Sequence, residues 1–328
     1  MNALTRWWPV GAFLLLIAIP YNALTNAPGT LQLLALCLVF GGLAAGYDLL
    51  FGRTGLLSFG HALYFAIGVY VTAILVTEVG LPLAMLFALL AGTTVAAALG
   101  AIALRVKGIA FSMVTLAFAQ VGAILVARNP GGLTGGEEGL PLSSGLPSFL
   151  IGVANTVNLY WLAVAYLTLV VVVLHRVAQS PTGRVFAGIR DDALRVDVLG
   201  LNPYRYKLVA FTLAGALAAL GGAVYVLVVG GASTHVASSD LTLTLLIMVV
   251  LGGPGTRFGP VIGGILFTFL DHRLSQLGVT FDLPGPLAEP LFILGTLFIL
   301  AVYFFPGGLA TLGRRVTSRR TALSRSAP

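Results

Sequence analysis

Read for hydrophobic and polar positions, the chain alternates long apolar runs with short polar breaks. The runs occupy 10–21, 31–51, 56–77, 83–104, 109–127, 159–174, 208–230, 241–251, 261–270 and 291–305. Most approach the roughly 20 residues that cross a bilayer as helix. They lack the period-2 alternation over roughly 10-residue segments that marks a closed barrel of strands. The pattern predicts an all-α polytopic membrane protein, one transmembrane domain over 1–328 with about ten helices. Runs 241–251 and 261–270 are shorter than a full span. Tilting, extension through the glycine turn between them, or re-entry is expected there, and a total of about eight or nine crossings stays open. Arg6-Trp7-Trp8 ahead of the first run suits an interfacial anchor; the same stretch also fits a secretory signal cut after Ala23.

Against this apolar background, 181–203 is the one substantial polar segment with a helical period. Val185, Phe186, Ile189, Ala193 and Val196 share one arc of a helix, and Arg184, Asp191 and Arg195 fall on another. Asp191 is expected to pair with Arg195 four residues on, Thr182 to cap the start, and Gly200 with Pro203 to end the helix. An amphipathic helix punctuated at both ends and lodged between spans offers a surface to another protein. The plainer alternative is a helix lying against the chain's own loop ends. The other long polar stretch, 128–158, is rich in Gly, Pro and Ser and carries Glu137 and Glu138; it is expected to be a loop at a pore mouth.

Composition sharpens the picture. The chain is 58% apolar and 9% charged, where a soluble domain carries about 25% charged residues. The net charge of +7 is concentrated in the segment 176–207 and the tail 306–328. Neither interleaves basic and aromatic residues as a base-stacking surface does, so nucleic acid is not the expected partner. Ten crossings with a cytosolic N-terminus place every Lys and Arg except Arg128 and Arg273 on the cytosolic side. That orientation makes both termini and the loop 176–207 cytosolic, with 128–158 outside. Cys37 is the single cysteine, which excludes a disulfide framework or thiolate cluster.

Polar groups inside the runs carry the candidate chemistry. Gly108, Ser112, Thr115, Ala119 and Gly122 lie on one narrow face, either a packing seam or a smooth wall along a path. Ala210, Ala214, Ala218 and Gly222 form a second such stripe, read first as packing. Gln120 lies off the first seam and needs a partner within the membrane. Asp48, Arg53 and His61 are costly against lipid, so a protein-facing network near the inner mouth is expected. The candidate pore or gate residues are Asp48, Ser58, His61, Ser112, Thr115 and Gln120. No nucleophile or metal set accompanies His61, and no catalytic or cofactor-binding residue is expected. There is no G-x-x-x-x-G-K-[ST] motif to cradle ATP. The charges crowd helix ends, whereas an ion-coupled carrier usually arranges them at broken helices near mid-membrane. Both observations favour a membrane subunit driven by a separate partner over an ion-coupled secondary carrier.

Residues 47–62 (YDLLFGRTGLLSFGHA), 105–118 (RVKGIAFSMVTLAF) and 134–140 (TGGEEGL) resemble, in order, the early signature, the next block and the external loop motif of the branched-chain amino-acid ABC permeases of the LivM type. Residues 183–200 look like the helix that docks onto the ATPase, and 250–256 (VLGGPGT) like the late glycine turn. Many relatives have Leu-Asn where this chain has Tyr47-Asp48. The resemblance implies an importer subunit of the bacterial inner membrane with a ten-helix fold like the vitamin B12 importer membrane subunit. It implies a second homologous permease, two cytosolic P-loop ATPases that bind ATP and Mg, and an extracytoplasmic substrate-binding protein. Phe186, Ile189, Arg190, Ala193 and Val196 would then be the contacts that couple to the ATPase. Branched-chain or other amino acids are the implied substrates, with urea or a short-chain amide as the alternative.

Overall fold

A computed structural model describes residues 28–142 and 155–281, with isolated positions between 292 and 308. The first run, the signal-or-anchor question, most of the last run and the basic tail lie outside the described residues. Helix α1 (Pro28–Asp48) continues through a π-helical turn (Leu49–Arg53), followed by α2 (His61–Val79), α3 (Leu81–Ala103) and α4 (Ile109–Arg128). Then come α5 (Thr156–Gln179), α6 (Pro181–Val198), α7 (Pro203–Val229), α8 (Ser239–Gly252) and α9 (Gly259–Phe281). The two-residue strands β1 (Leu140–Pro141) and β2 (Gly231–Ala232) pair antiparallel and tie two loops together at the end of the bundle away from α6. The protein is an all-α polytopic membrane protein. Among the described residues, six helices are long and apolar enough to cross a membrane: α1 with its π turn, α2, α3, α4, α5 and α7.

Burial sorts these helices. The apolar stretch of α1 is 83% buried and that of α7 67%, whereas α3 and α4 are buried over only 22% and 28%. The first two form the centre of the bundle; the last two present Leu83, Leu86, Leu90, Met113 and Ile124 outward. Side chains alone do not achieve the packing of α2 on α7. A Cβ at Gly222 would run into the carbonyl oxygen of Phe65, so these backbones touch where only glycine fits. The stripe Ala210, Ala214, Ala218 and Gly222 is buried throughout and is a packing seam.

Five local expectations are corrected. The break expected over 52–55 comes at its far end, Gly55: the helix first widens into the π turn, closed by the Thr54 hydroxyl on the Leu49 carbonyl (2.7 Å). The following helix starts at His61, not at Leu56, because residues 55–60 run irregularly and spend their polar groups on neighbouring helices. The short run 261–270 belongs to the 23-residue α9, since Asp271, His272 and Arg273 interrupt the apolar pattern but not the helix. Arg273 lies over the Phe269 ring, 5.3 Å from its centroid, which gives its charge a partner one turn back. In α6, Ser180 rather than Thr182 caps the start, accepting from the Gly183 amide. Asp192 is non-helical (φ −160°, ψ 104°) and caps a second helical half, accepting from Leu194 N at 2.9 Å. Arg195 therefore pairs with Asp192 (3.0 Å), not with Asp191.

Candidate functional site

The polar groups expected near one mouth gather at the end of the bundle where α6 lies. The π turn adds one residue to a helical turn, and that spacing aims Asp48 and Arg53, five apart, at each other (Oδ2 to Nε 3.7 Å). The Asp48 carboxylate is buried, with 2% of its side chain exposed, and its Oδ1 accepts from the Gly255 amide at 2.7 Å. Arg53 also donates to the Leu174 carbonyl at 3.2 Å. Arg190 of α6 donates to the Gly52 carbonyl. A Cβ on Gly52 would collide with both Asp48 Oδ1 and the Gly255 amide, so the glycine is required for the tie to form. One carboxylate and two arginines thus bind α1, α5, α6 and the turn between α8 and α9 into a single joint.

The irregular stretch 55–60 is held just as closely. Ser112 donates to the Leu57 carbonyl at 2.7 Å, and Thr115 accepts from the Phe59 amide at 3.0 Å. The Tyr47 hydroxyl donates to the Ser58 carbonyl, and the Ser58 hydroxyl accepts from the Gly60 amide. Thr242 of α8 accepts from the Ala62 amide at 3.0 Å, finishing the unsatisfied start of α2. Sequence reasoning missed Thr242, which is one of two threonines in a short helix whose first turn is already polar, so nothing singled it out. His61 is fully buried between the ring edges of Tyr47 and Tyr64. Among the described residues neither of its ring nitrogens has a hydrogen-bond partner.

The structure therefore brings Asp48, Ser58, His61, Ser112 and Thr115 to the same end of the bundle, as backbone ties and packing. It leaves Gln120 apart. Gly108 precedes α4 and is exposed, so it is not part of the face; Ser112, Thr115, Ala119 and Gly122 are buried, and a Cβ on Gly122 would strike Leu63, so those four form a seam within the chain rather than an open wall. The opposite face of α4, with Met113, Ala117, Gln120 and Ile124, is exposed. An amide in the middle of an apolar helix needs a polar neighbour that the described residues do not provide at that face.

The apolar arc of α6 packs largely on this chain itself. Phe186, Ile189 and Val196 are buried against this chain, at 1%, 5% and 6% exposure, and Arg190 is engaged with Gly52. A segment that is polar outside the membrane buries its apolar arc on the nearest apolar surface, here the ends of its own spans. The large apolar side chains that stay outward lie beyond the Asp192 break. Leu194, Val198 and Leu199 are 73%, 86% and 78% exposed, and Ala193 with Leu194 borders a cavity of about 380 Å³ that reaches Lys107, Tyr204 and Lys207. Among the described residues there is no group of three His, Cys, Asp or Glu side chains that could hold a metal ion.

Over residues 29–302 the chain matches the family described as branched-chain amino acid transport system / permease component. It is 29% identical over 330 residues to the high-affinity branched-chain amino acid transport permease LivM of Escherichia coli K12, covering 92% of this chain and 74% of that protein. The Salmonella typhimurium LivM is equally similar, at 29% over the same shares. The autoinducer 2 import permease LsrC of Enterobacter sp. strain 638 is 32% identical over 214 residues, covering 62% of this chain and 58% of LsrC. No solved structure matches the chain significantly.

Proposed function

The chain belongs to the family of branched-chain amino acid transport permease components, and on that premise we propose that it forms half of a translocation path for branched-chain or other amino acids. It is the non-catalytic membrane component of an ABC-type importer of amino acids or related small molecules. The match over 29–302 carries this reading, because it spans the described helices.

The finer assignments are ours. A second homologous permease pairs along the exposed face of α4, where Gln120 supplies the polar group that lipid would not tolerate. Two cytosolic P-loop ATPases dock beneath α6 and supply the ATP and Mg chemistry that this chain lacks. A substrate-binding protein delivers solute at the opposite end, over the loop bearing Glu137 and Glu138. The Lys/Arg bias supports a bacterial inner-membrane orientation with both termini cytosolic. The motif order supports a ten-helix whole-chain fold like that of the vitamin B12 importer membrane subunit. Coupling runs through Leu194, Val198 and Leu199, the apolar side chains that α6 leaves uncovered. The half that carries the buried Phe186 and Ile189, with Arg190, transmits that contact to the joint at Asp48 and Gly255. The likeness to an autoinducer 2 import permease favours a second reading of the substrate, a small polar solute other than an amino acid.

Reconstitution with the partner ATPases and binding protein in proteoliposomes tests the reading. Labelled leucine should accumulate only with ATP and all partners present. Accumulation driven by an ion gradient, without ATPases, would overturn it.

A further inference from the structure

A cavity of about 540 Å³ opens at the α6 end of the bundle, between the last turns of α1 and α5, α6 itself and the glycine turn after α8. Three guanidinium groups line it, those of Arg53, Arg190 and Arg257. Asp191 is the one carboxylate among the described lining residues, and Asp48 stands behind the wall, held by Arg53 and the Gly255 amide. Three cations thus face two anions. The bonds from Arg53 and Arg190 to the carbonyls of Leu174 and Gly52 fix those side chains without neutralising them. Arg257 is set by the Phe258 ring (5.2 Å) and donates to His175 Nε2 at 3.2 Å. The same nitrogen lies 3.1 Å from the Gln179 amide nitrogen, so the imidazole serves as an acceptor and adds no positive charge.

Like charges around one partly enclosed space repel unless a counter-ion joins them. Each guanidinium carries five N–H donors in a planar fork, and the recorded bonds use only some of them. Three such forks lining one cavity from three elements suit a tetrahedral oxyanion better than a lone carboxylate. The volume lies within the roughly 300–1,000 Å³ of small-ligand sites. The position fits as well: α1 and α5 end their apolar stretches here, the level at which basic pockets between helices meet lipid headgroups.

We propose that this cavity binds a phosphate-bearing anion, taken either from free phosphate or from the headgroup of an anionic lipid. The proposal does not rest on which solute the protein transports. The test uses the importer purified with its partner subunits, as wild type and as Arg257→Gln and Arg257→Lys. One arm titrates radiolabelled inorganic phosphate in neutral detergent. The other measures, by native mass spectrometry, the phosphatidylglycerol retained from nanodiscs that also contain phosphatidylcholine. Wild type should bind at least one of the two probes saturably, and which one identifies the source. Arg257→Gln should weaken that binding roughly tenfold or more, and Arg257→Lys by less, because the charge stays while the fork is lost. If Arg257→Gln fails to assemble, the Arg257→Lys protein decides alone, and binding equal to wild type overturns the proposal. It is also overturned if neither probe binds, or if crosslinking finds a carboxylate of the partner ATPase filling the cavity.

Discussion

Asp48 ties the end of α1 to the turn after α8, and two substitutions separate its contributions. Asp48→Asn keeps an oxygen to accept from the Gly255 amide, now 2.7 Å away, but removes the charge facing Arg53. The Arg53 side chain is only 18% exposed, so removing its partner leaves a largely buried charge, eased by the length of the pair (3.7 Å) and by the bond Arg53 keeps to the Leu174 carbonyl. A cost of about 3 kcal/mol, the low end for breaking a buried pair, is expected. Asp48→Ala removes the acceptor as well and leaves the Gly255 amide without its partner. Gly255 is exposed at the cavity, so water replaces part of that bond, and the alanine variant should lie below the asparagine variant by the net worth of one hydrogen bond, about 0.5–1.5 kcal/mol. Equilibrium unfolding in mixed micelles titrated with dodecyl sulfate, followed by tryptophan fluorescence, measures both. Equal stabilities for Asp48→Ala and Asp48→Asn would show that the bond to the glycine turn contributes nothing and would refute the reasoning.

The seam between α2 and α7 makes a second demand. Gly222→Val should cost about 1–3 kcal/mol or more in the same unfolding assay, since the carbonyl of Phe65 cannot move without its helix; unchanged stability would refute the close approach. Orientation is testable by labelling in a Cys37→Ala background with a membrane-impermeant thiol reagent. Glu138→Cys should label in intact cells and Arg195→Cys, on a side chain 85% exposed, only after the cells are opened; the reverse pattern contradicts the assigned topology.

Much of the fold was legible because apolar run length is the dominant signal in a bilayer: the runs at 31–51, 83–104 and 109–127 end within a few residues of the helices. Errors arose where hydrogen bonding, not hydropathy, sets the boundary. The apolar residues Leu56 and Leu57 look helical, yet Ser112 and Thr115 hold that stretch irregular from another helix. Asp48 and Arg53 were legible as members of one protein-facing network, but the π turn that aligns them leaves no mark on an apolar sequence. In α6 the helical period correctly grouped Phe186, Ile189 and Val196, and periodicity alone does not say whether such a face meets a partner or its own chain. Asp191-Asp192 offers two carboxylates as caps, and only the backbone angles show that the second breaks the helix. Arg257 and His175, far apart in sequence, gave no sign that they would share a cavity.

The claim that work from ATP hydrolysis enters this permease through the far half of α6 is tested most directly by a pair of substitutions. Leu194→Asp places a carboxylate on a side chain that is 73% exposed, so the permease should insert and fold normally. In the docked complex that charge would meet an apolar contact, at a cost of several kcal/mol unless it is paired. Ile189→Asp places the same carboxylate where exposure is 5% and should destabilise the permease itself. The measurement is co-purification of the partner ATPases, with ATP-dependent uptake assayed in the same membranes. The account predicts a stable Leu194→Asp permease that has lost both the ATPases and uptake; a Leu194→Asp protein that retains both would contradict it.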